Sequence, residues 1–329
     1  MFNITGVGHY LPEVAYSTFD LATQYGLDAS RLLAAPGIVS RRYATCETQV
    51  DMAVNAARQA LRTAGKNIED IDLVISACAV SYQPIPTLSP LIAKELGAAD
   101  GTFEAMDINT TCLSFVSAFD LANILLETGR AKNILIVSSE MASRGLDWVN
   151  DPETAALFGD GAGAAILSAG DSRVAASRFR SYPSSWEACQ LEAGGTRHDF
   201  QTQKEDFAKG STFKMKGKDL FRISLQYFSG FVEDLLKDAK WSLDDIDLII
   251  PHQASPHAIR HMSKVCGFEI DKIVDIMADH GNMIAASIPL ALSLSKSEGR
   301  IVPGSKVLIL GTSAGVSFGG LALEIGDDQ

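Results

Sequence analysis

No stretch of this chain holds the roughly 18 consecutive apolar residues that a membrane-spanning helix needs, which excludes a helical membrane protein. The N-terminus, Met1-Phe2-Asn3-Ile4, lacks a basic segment and a long apolar one, so no export signal is expected and a cytoplasmic location follows. Positive charge is scarce: Lys plus Arg number 28 against 40 Asp plus Glu, a net −12. That excludes a general nucleic-acid binder or a protein of anionic membranes. An anionic partner has to be met by a local basic patch. Cysteine is sparse too, five in all, odd in number, widely spaced and without a CxxC pair. This excludes a disulfide framework or zinc ribbon and points to reduced thiols in a cytosol. Gly159-Asp160-Gly161-Ala162-Gly163 lacks the GxGxxG order and precedes a strand-like run, so a tight turn is expected there, not a phosphate cradle.

What is present is an ordinary globular composition, 47% hydrophobic and 21% charged, over 329 residues. That length suits roughly two domains. The chain also repeats itself. Asp70-Ile71-Asp72-Leu73-Val74-Ile75 recurs as Asp245-Ile246-Asp247-Leu248-Ile249-Ile250. Gly129-Arg130 and the run Asn133 to Val137 are echoed by Gly299-Arg300 and Lys306 to Leu310. One long repeat means two similar halves sharing a core, set at 1–170 and 171–329.

Within each half, short β-rich runs (73–77, 133–137, 164–168, 248–251, 306–310, 320–325) alternate with longer periodic segments (51–64, 113–127, 219–239, 284–296). Strands alternating with helices predict an α/β layered fold with a mixed sheet in each half. Segment 113–127 is apolar almost all round, which predicts a helix buried on every side between two sheets. Residues 184–218 fit neither half and read as a surface insertion suited to a substrate loop.

Three residues stand out. Cys112 follows a strand-like run and opens the buried helix, where unpaired N–H groups and the dipole favour a nucleophilic thiolate. The plainer reading is a small buried hydrophobe. His252 ends a buried strand in Pro251-His252-Gln253-Ala254, where ligand crevices of α/β folds lie; a hydrogen-bonded loop histidine is the alternative. Asn282 follows Cys112 at the offset that aligns Gly129-Arg130 with Gly299-Arg300, so a pseudo-twofold would bring the two together; a helix N-cap is the alternative. His257 and His261 have zinc-pair spacing but no third ligand, so no metal is expected.

Taken together, these motifs resemble the β-ketoacyl-[acyl-carrier-protein] synthase III family of the thiolase superfamily. The anchors are the Cys112 region, Leu157 to Ala165, Pro251 to Ala254, His280-Gly281-Asn282 with Ala285 to Pro289, and Gly315 to Gly319. The resemblance implies a duplicated thiolase-like fold, five-layered αβαβα with two mixed sheets, in a homodimer without cofactor. It implies an acyl group loaded on Cys112 and then condensed with a decarboxylating malonyl thioester, malonyl-carrier protein, to a β-ketoacyl product. His252 and Asn282 would hold the thioester carbonyl and the enolate. The backbone N–H groups of Cys112 and Ala314 would form the acyl oxyanion hole. Ile85 matches the position that closes the partner's acyl pocket, where many relatives have Phe.

Where the family stacks Trp and Arg on the CoA adenine, this chain has Arg31 and Ala35. Another CoA-binding Arg is matched by Pro152, and the usual Asn-x-Arg after the histidine reads Ser255-Pro256-His257. Either CoA is gripped differently or the acyl donor is a carrier protein. A carrier protein is acidic, and Lys214, Lys218 and Arg222, within a lysine-rich stretch from 204 to 222, together with His257, mark the expected cationic mouth. Two further readings are an acyltransferase passing the group from Cys112 to a hydroxyl or amine, and a scaffolding subunit without activity.

Overall fold

The computed structural model describes residues 1–34 and 37–327. Its principal strands are β1 (Phe2–Tyr10), β2 (Leu73–Ser76), β3 (Glu104–Asp107), β4 (Asn133–Met141), β5 (Asp160–Ser181), β6 (Leu248–Pro251), β7 (Lys306–Ser313) and β8 (Ser317–Glu324). Its principal helices are α1 (Gln49–Ala64), α2 (Ser114–Glu127), α3 (Gly217–Ala239) and α4 (Ser287–Ser297). Side-chain alternation along the strands builds the layers. Ile75, Ile134 and Ile136 face the same central core as Leu248, Ile250, Val307 and Ile309, and that core also holds Phe115, Phe119 and Ile288 of α2 and α4. Their neighbours Val74, Leu135 and Val137 face α1 instead. Ile249, Leu308 and Leu310 face α3. The layers therefore run helix, sheet, helix pair, sheet, helix.

The halves share one strand. The first part of β5 pairs with β1 and β4, and residues 173–181 pair with β8. The 22-residue β5 crosses the expected boundary at 170/171, so the two mixed sheets form one hydrogen-bonded set of eight strands, seven in a single path and β1 paired to β5 beside it. Repeated acids do the same job in each half: Asp72 accepts the Asn133 N–H at 2.9 Å and Asp247 the Lys306 N–H at 2.8 Å.

Two expectations need correction. The glycines at 161 and 163 lie inside β5, not in a turn. A Cβ on Gly163 would stand 2.7 Å from the Leu290 backbone nitrogen, so glycine there lets α4 lie directly on the strand. Helix α2 is not buried on every side: its last turn keeps Leu126 buried but leaves Ile124 48% exposed, and at its end Glu127 binds the Met1 ammonium at the surface.

Candidate active site

Each half places a short 3₁₀ turn before its central helix, Thr111–Leu113 before α2 and Ile284–Ala286 before α4. The turns match in detail. Thr111 and Ile284, 173 residues apart, both take positive φ, 54° and 49°. Asn109 accepts the Thr111 N–H at 2.9 Å, and Asn282 accepts the Ile284 N–H at 2.8 Å. The same asparagines donate to Ala79 O at 2.8 Å and Ala254 O at 3.3 Å. Ser114 and Ser287 accept the N–H groups of Thr110 and Met283, both at 3.0 Å. The symmetry mate of Asn282 is therefore Asn109, and that of Cys112 is Ala285. The expected equivalence of Cys112 with Asn282 is wrong in register, because α4 is three residues shorter than α2 and the offset of the glycines beyond the helices differs from that of the turns.

Cys112, His252 and Asn282 line one cavity of about 1270 Å³, and Ala314 stands on its wall. The backbone N–H groups of Cys112 and Ala314 favour the thiolate form of Cys112. Burial nonetheless outweighs them and pushes the Cys112 thiol up to about 12. The expectation of a resting thiolate at a helix start is thereby corrected: the thiol is protonated near neutral pH. The same cause drives the His252 imidazole down to about 4, so it is neutral. His252 is carried by β6 and fixed by its own N–H to Leu310 O at 2.7 Å, while its Nδ1 has no partner among the described residues. Asn282 is oriented by its two side-chain bonds: Oδ1 is occupied by Ile284, Nδ2 turns to Ala254, and one N–H remains for the cavity.

The close approach of strands behind the site makes one prediction. A Cβ on Gly311 would stand 2.7 Å from Leu113 Cδ2 and 3.2 Å from His252 Cβ. Gly311→Ala is expected to lower stability by about 1–3 kcal/mol through overpacking and to slow acyl loading. Thermal melting alongside intact-mass loading kinetics checks it; an unaltered melting midpoint with full loading contradicts the packing argument.

The remaining expected site residues scatter. His257 lines the cavity opening, whereas Lys214, Lys218 and Arg222 do not line it. Lys214 is held by Glu192 at 2.8 Å and Arg222 by Asp219 at 2.9 Å. Glu192 lies outside the window in which the basic excess was counted. Ile85 is 87% exposed and absent from its own chain's cavity. Arg31 is tied to Glu153, next to Pro152, and Ala35 lies outside the described residues. The 184–218 segment forms much of the cavity wall, with Trp186, Leu191, Phe207 and Phe213. Sequence reasoning missed three contributors. Cys189 lines the same cavity. Gln253 clamps the end of β6 through Pro251 O, Val274 O and the Ile276 N–H. Glu140 is fully buried behind the site. For Glu140 the only signal was an acid at the end of an apolar strand. No group of three His, Cys, Asp or Glu side chains among the described residues is placed to hold a metal ion.

Two family models match the chain: "3-Oxoacyl-[acyl-carrier-protein (ACP)] synthase III" over residues 106–183, and its C-terminal counterpart over 236–325. The chain is 35% identical over 327 residues to a β-ketoacyl-[acyl-carrier-protein] synthase III of Neisseria gonorrhoeae, covering 98% of each. Among solved structures it is similar to 3-oxoacyl-[acyl-carrier-protein] synthase III from Aquifex aeolicus, with TM-score 0.89 and 30% identity over 98% of this chain and 100% of that one. It is similar also to the priming β-ketosynthase of the R1128 polyketide pathway, with TM-score 0.90 and 28% identity over 100% of this chain and 97% of that one.

Proposed function

This chain belongs to the β-ketoacyl-[acyl-carrier-protein] synthase III family, and from that premise we propose how its own residues carry out the reaction. The enzyme is an acyl-thioester condensing enzyme of thiolase-like fold. Cys112 Sγ attacks the acyl thioester carbonyl, the new C–S bond forms, and the donor thiol leaves with a proton. Because the resting thiol is protonated, its proton has to move as attack begins. The neutral His252 imidazole on the same cavity is the base. Thiolate and imidazolium are each costly alone in a buried site, so they form as a pair. The Cys112 and Ala314 N–H groups hold the tetrahedral oxyanion.

A malonyl thioester then enters. Its C–C bond to the carboxylate breaks, CO₂ leaves, and the electron pair becomes an enolate. His252 and the free N–H of Asn282 donate to the enolate oxygen. The carbanion carbon attacks the acyl carbonyl on Cys112, the Cys112–acyl bond breaks to release a β-ketoacyl thioester, and the departing sulfur takes a proton from water to restore the thiol. Two neutral donors suit this step, since a carboxylate there would repel both malonate and enolate. The observation that carries the reading is the single cavity that Cys112, His252 and Asn282 line together, with Ala314 on its wall. The test is intact-mass spectrometry after exposure to a panel of acyl thioesters, followed by malonyl-carrier protein. An acyl adduct that disappears with CO₂ release supports condensation; absence of any adduct overturns it. No observation favours acyl transfer to a hydroxyl or amine.

The carrier protein is the preferred thioester bearer. Of the positions that grip CoA in relatives, Arg31 is tied here to Glu153. Lys218 makes no ion pair among the described residues, and Arg222 pairs with Asp219 at the surface. Replacing both by Glu (Lys218→Glu, Arg222→Glu) is expected to raise KM for malonyl-carrier protein several-fold, about 1 kcal/mol per exposed charge at most, with kcat unchanged. The effect should fade at high salt; equal KM at low salt rules out this mouth. The exposed edge strand β3 and the outward Ile85 support a homodimer in which Ile85 closes the partner's acyl pocket. Five free cysteines support a cytoplasmic setting, and no helix among the described residues is long and apolar enough to cross a membrane.

A further inference from the structure

Glu140 is the last but one residue of β4 and is fully buried, yet no cation among the described residues pairs with it. A carboxyl group placed so has to be held by neutral donors. It is: Oε1 accepts the Ala79 N–H at 2.5 Å, Oε2 accepts the Val80 N–H at 3.3 Å, and the Ala285 N–H also reaches it. Those donors belong to the two halves of the site. Ala79 O takes the Asn109 side-chain amide at 2.8 Å, and Asn109 holds the Thr111 N–H beside Cys112. Ala285 is the middle of the turn whose first N–H is held by Asn282.

The pseudo-twofold explains the arrangement. The mate of Glu140 is Ser313, which bonds the Thr110 carbonyl at 2.8 Å and touches the Thr111 hydroxyl. Each strand end thus reaches across to the other half's turn. The mate of the Cys112 N–H is the Ala285 N–H. In one half that N–H faces the sulfur and the cavity. In the other it is turned to a buried carboxyl group.

We propose that Glu140 is a positioning residue for the condensation step, anchoring the Asn282 turn to the Cys112 side of the cavity from behind. The inference rests on the function proposed above. The carboxyl does not line the cavity, so it acts through Ala285 and Ala79 and not on substrate. It also places an ionisable group behind the nucleophile. The titratable groups facing it are Cys78 beyond β2, Cys112 on the first turn and Asp160 on β5. Burial raises the carboxyl to about 8, and its charge in turn raises the Cys112 thiol.

The test uses Glu140→Gln, which keeps shape and one acceptor oxygen, with Glu140→Asp beside it. Enzyme is first acyl-loaded on Cys112, and disappearance of the adduct on mixing with malonyl-carrier protein is followed by intact mass. Counting only loaded molecules makes the rate independent of how much variant folds. Assayed above about pH 8, where the carboxyl is ionised, turnover of the adduct is expected to fall about tenfold or more in Glu140→Gln, as for loss of a hydrogen bond to a charged group, while loading falls less than about threefold. The pH profile of Cys112 alkylation by iodoacetamide should move to lower pH, because the opposing charge is gone. Glu140→Asp should fall between. Turnover within about twofold of the parent, loading reduced as much as turnover, or an unmoved alkylation profile each overturns the proposal. If the parent itself neither loads nor condenses, the proposed function fails instead, and the alkylation profile still reads Glu140.

Discussion

Cys112→Ala should take up no acyl group from any thioester, and overall condensation should fall by about 10⁴-fold or more. The reason is local. Among the described residues two cysteines line the cavity, Cys112 and Cys189, but backbone N–H groups favour the thiolate of Cys112 alone. Burial pushes Cys189 up to about 12 with no backbone donor drawing it back. The decisive measurement is peptide mapping after loading. An adduct on Cys189 in the variant, with condensation retained, would move the nucleophile and undo the assignment. Cys112→Ser is a subtler control: an alcohol buried in the same place is a far weaker nucleophile, so loading should still be lost although the donors stay in position.

The second large effect separates the two half-reactions. His252→Ala and Asn282→Ala should each slow turnover of preformed acyl-enzyme by about 10²–10³, the cost of losing one donor to a developing oxyanion. Asn282→Ala should leave loading nearly intact, because both oxyanion donors for that step are backbone groups. Asn282→Asp should be no better than Ala: an ionised carboxylate has no N–H to offer, and its charge opposes the enolate. Acyl-enzyme that accumulates in the variants and persists in malonyl-carrier protein is the expected result. Equal loss of loading and turnover in Asn282→Ala would argue that the residue only holds the turn through Ile284. The pH dependence has a definite sign. A depressed imidazole pKa, about 4, leaves His252 neutral well below the ordinary histidine range near 6.5. Acyl loading, which uses that neutral imidazole as base, should therefore pass through about pH 6.5 without a histidine-type loss and fall only near pH 4.

Much of this was legible in the chain before folding. The alternation of β-rich runs with periodic segments located the strands and helices that carry the site, because side-chain direction has period two in a strand and about 3.6 in a helix whatever lies beyond it. The Asp-Ile-Asp repeat marked the duplication, since both copies do the same local work at a strand start. Cys112, His252 and Asn282 were visible as chemistry-bearing residues at element ends. What the chain could not supply is anything set by the third dimension. The register of the halves needed the matching turns, because a three-residue difference in helix length shifts every offset beyond it. The thiol's protonation needed the depth of the cavity, since desolvation depends on neighbours from both halves, and there it exceeds the pull of local N–H groups. The neutralisation of Lys214 needed Glu192, which is distant in sequence and adjacent in space. Sequence alone determined which residues could do chemistry and in what order the layers are built, because those depend on local pattern. Tertiary structure alone decided which donors meet the sulfur, which charges stay free, and that Glu140 ties the two turns together, because each depends on groups brought together only by folding.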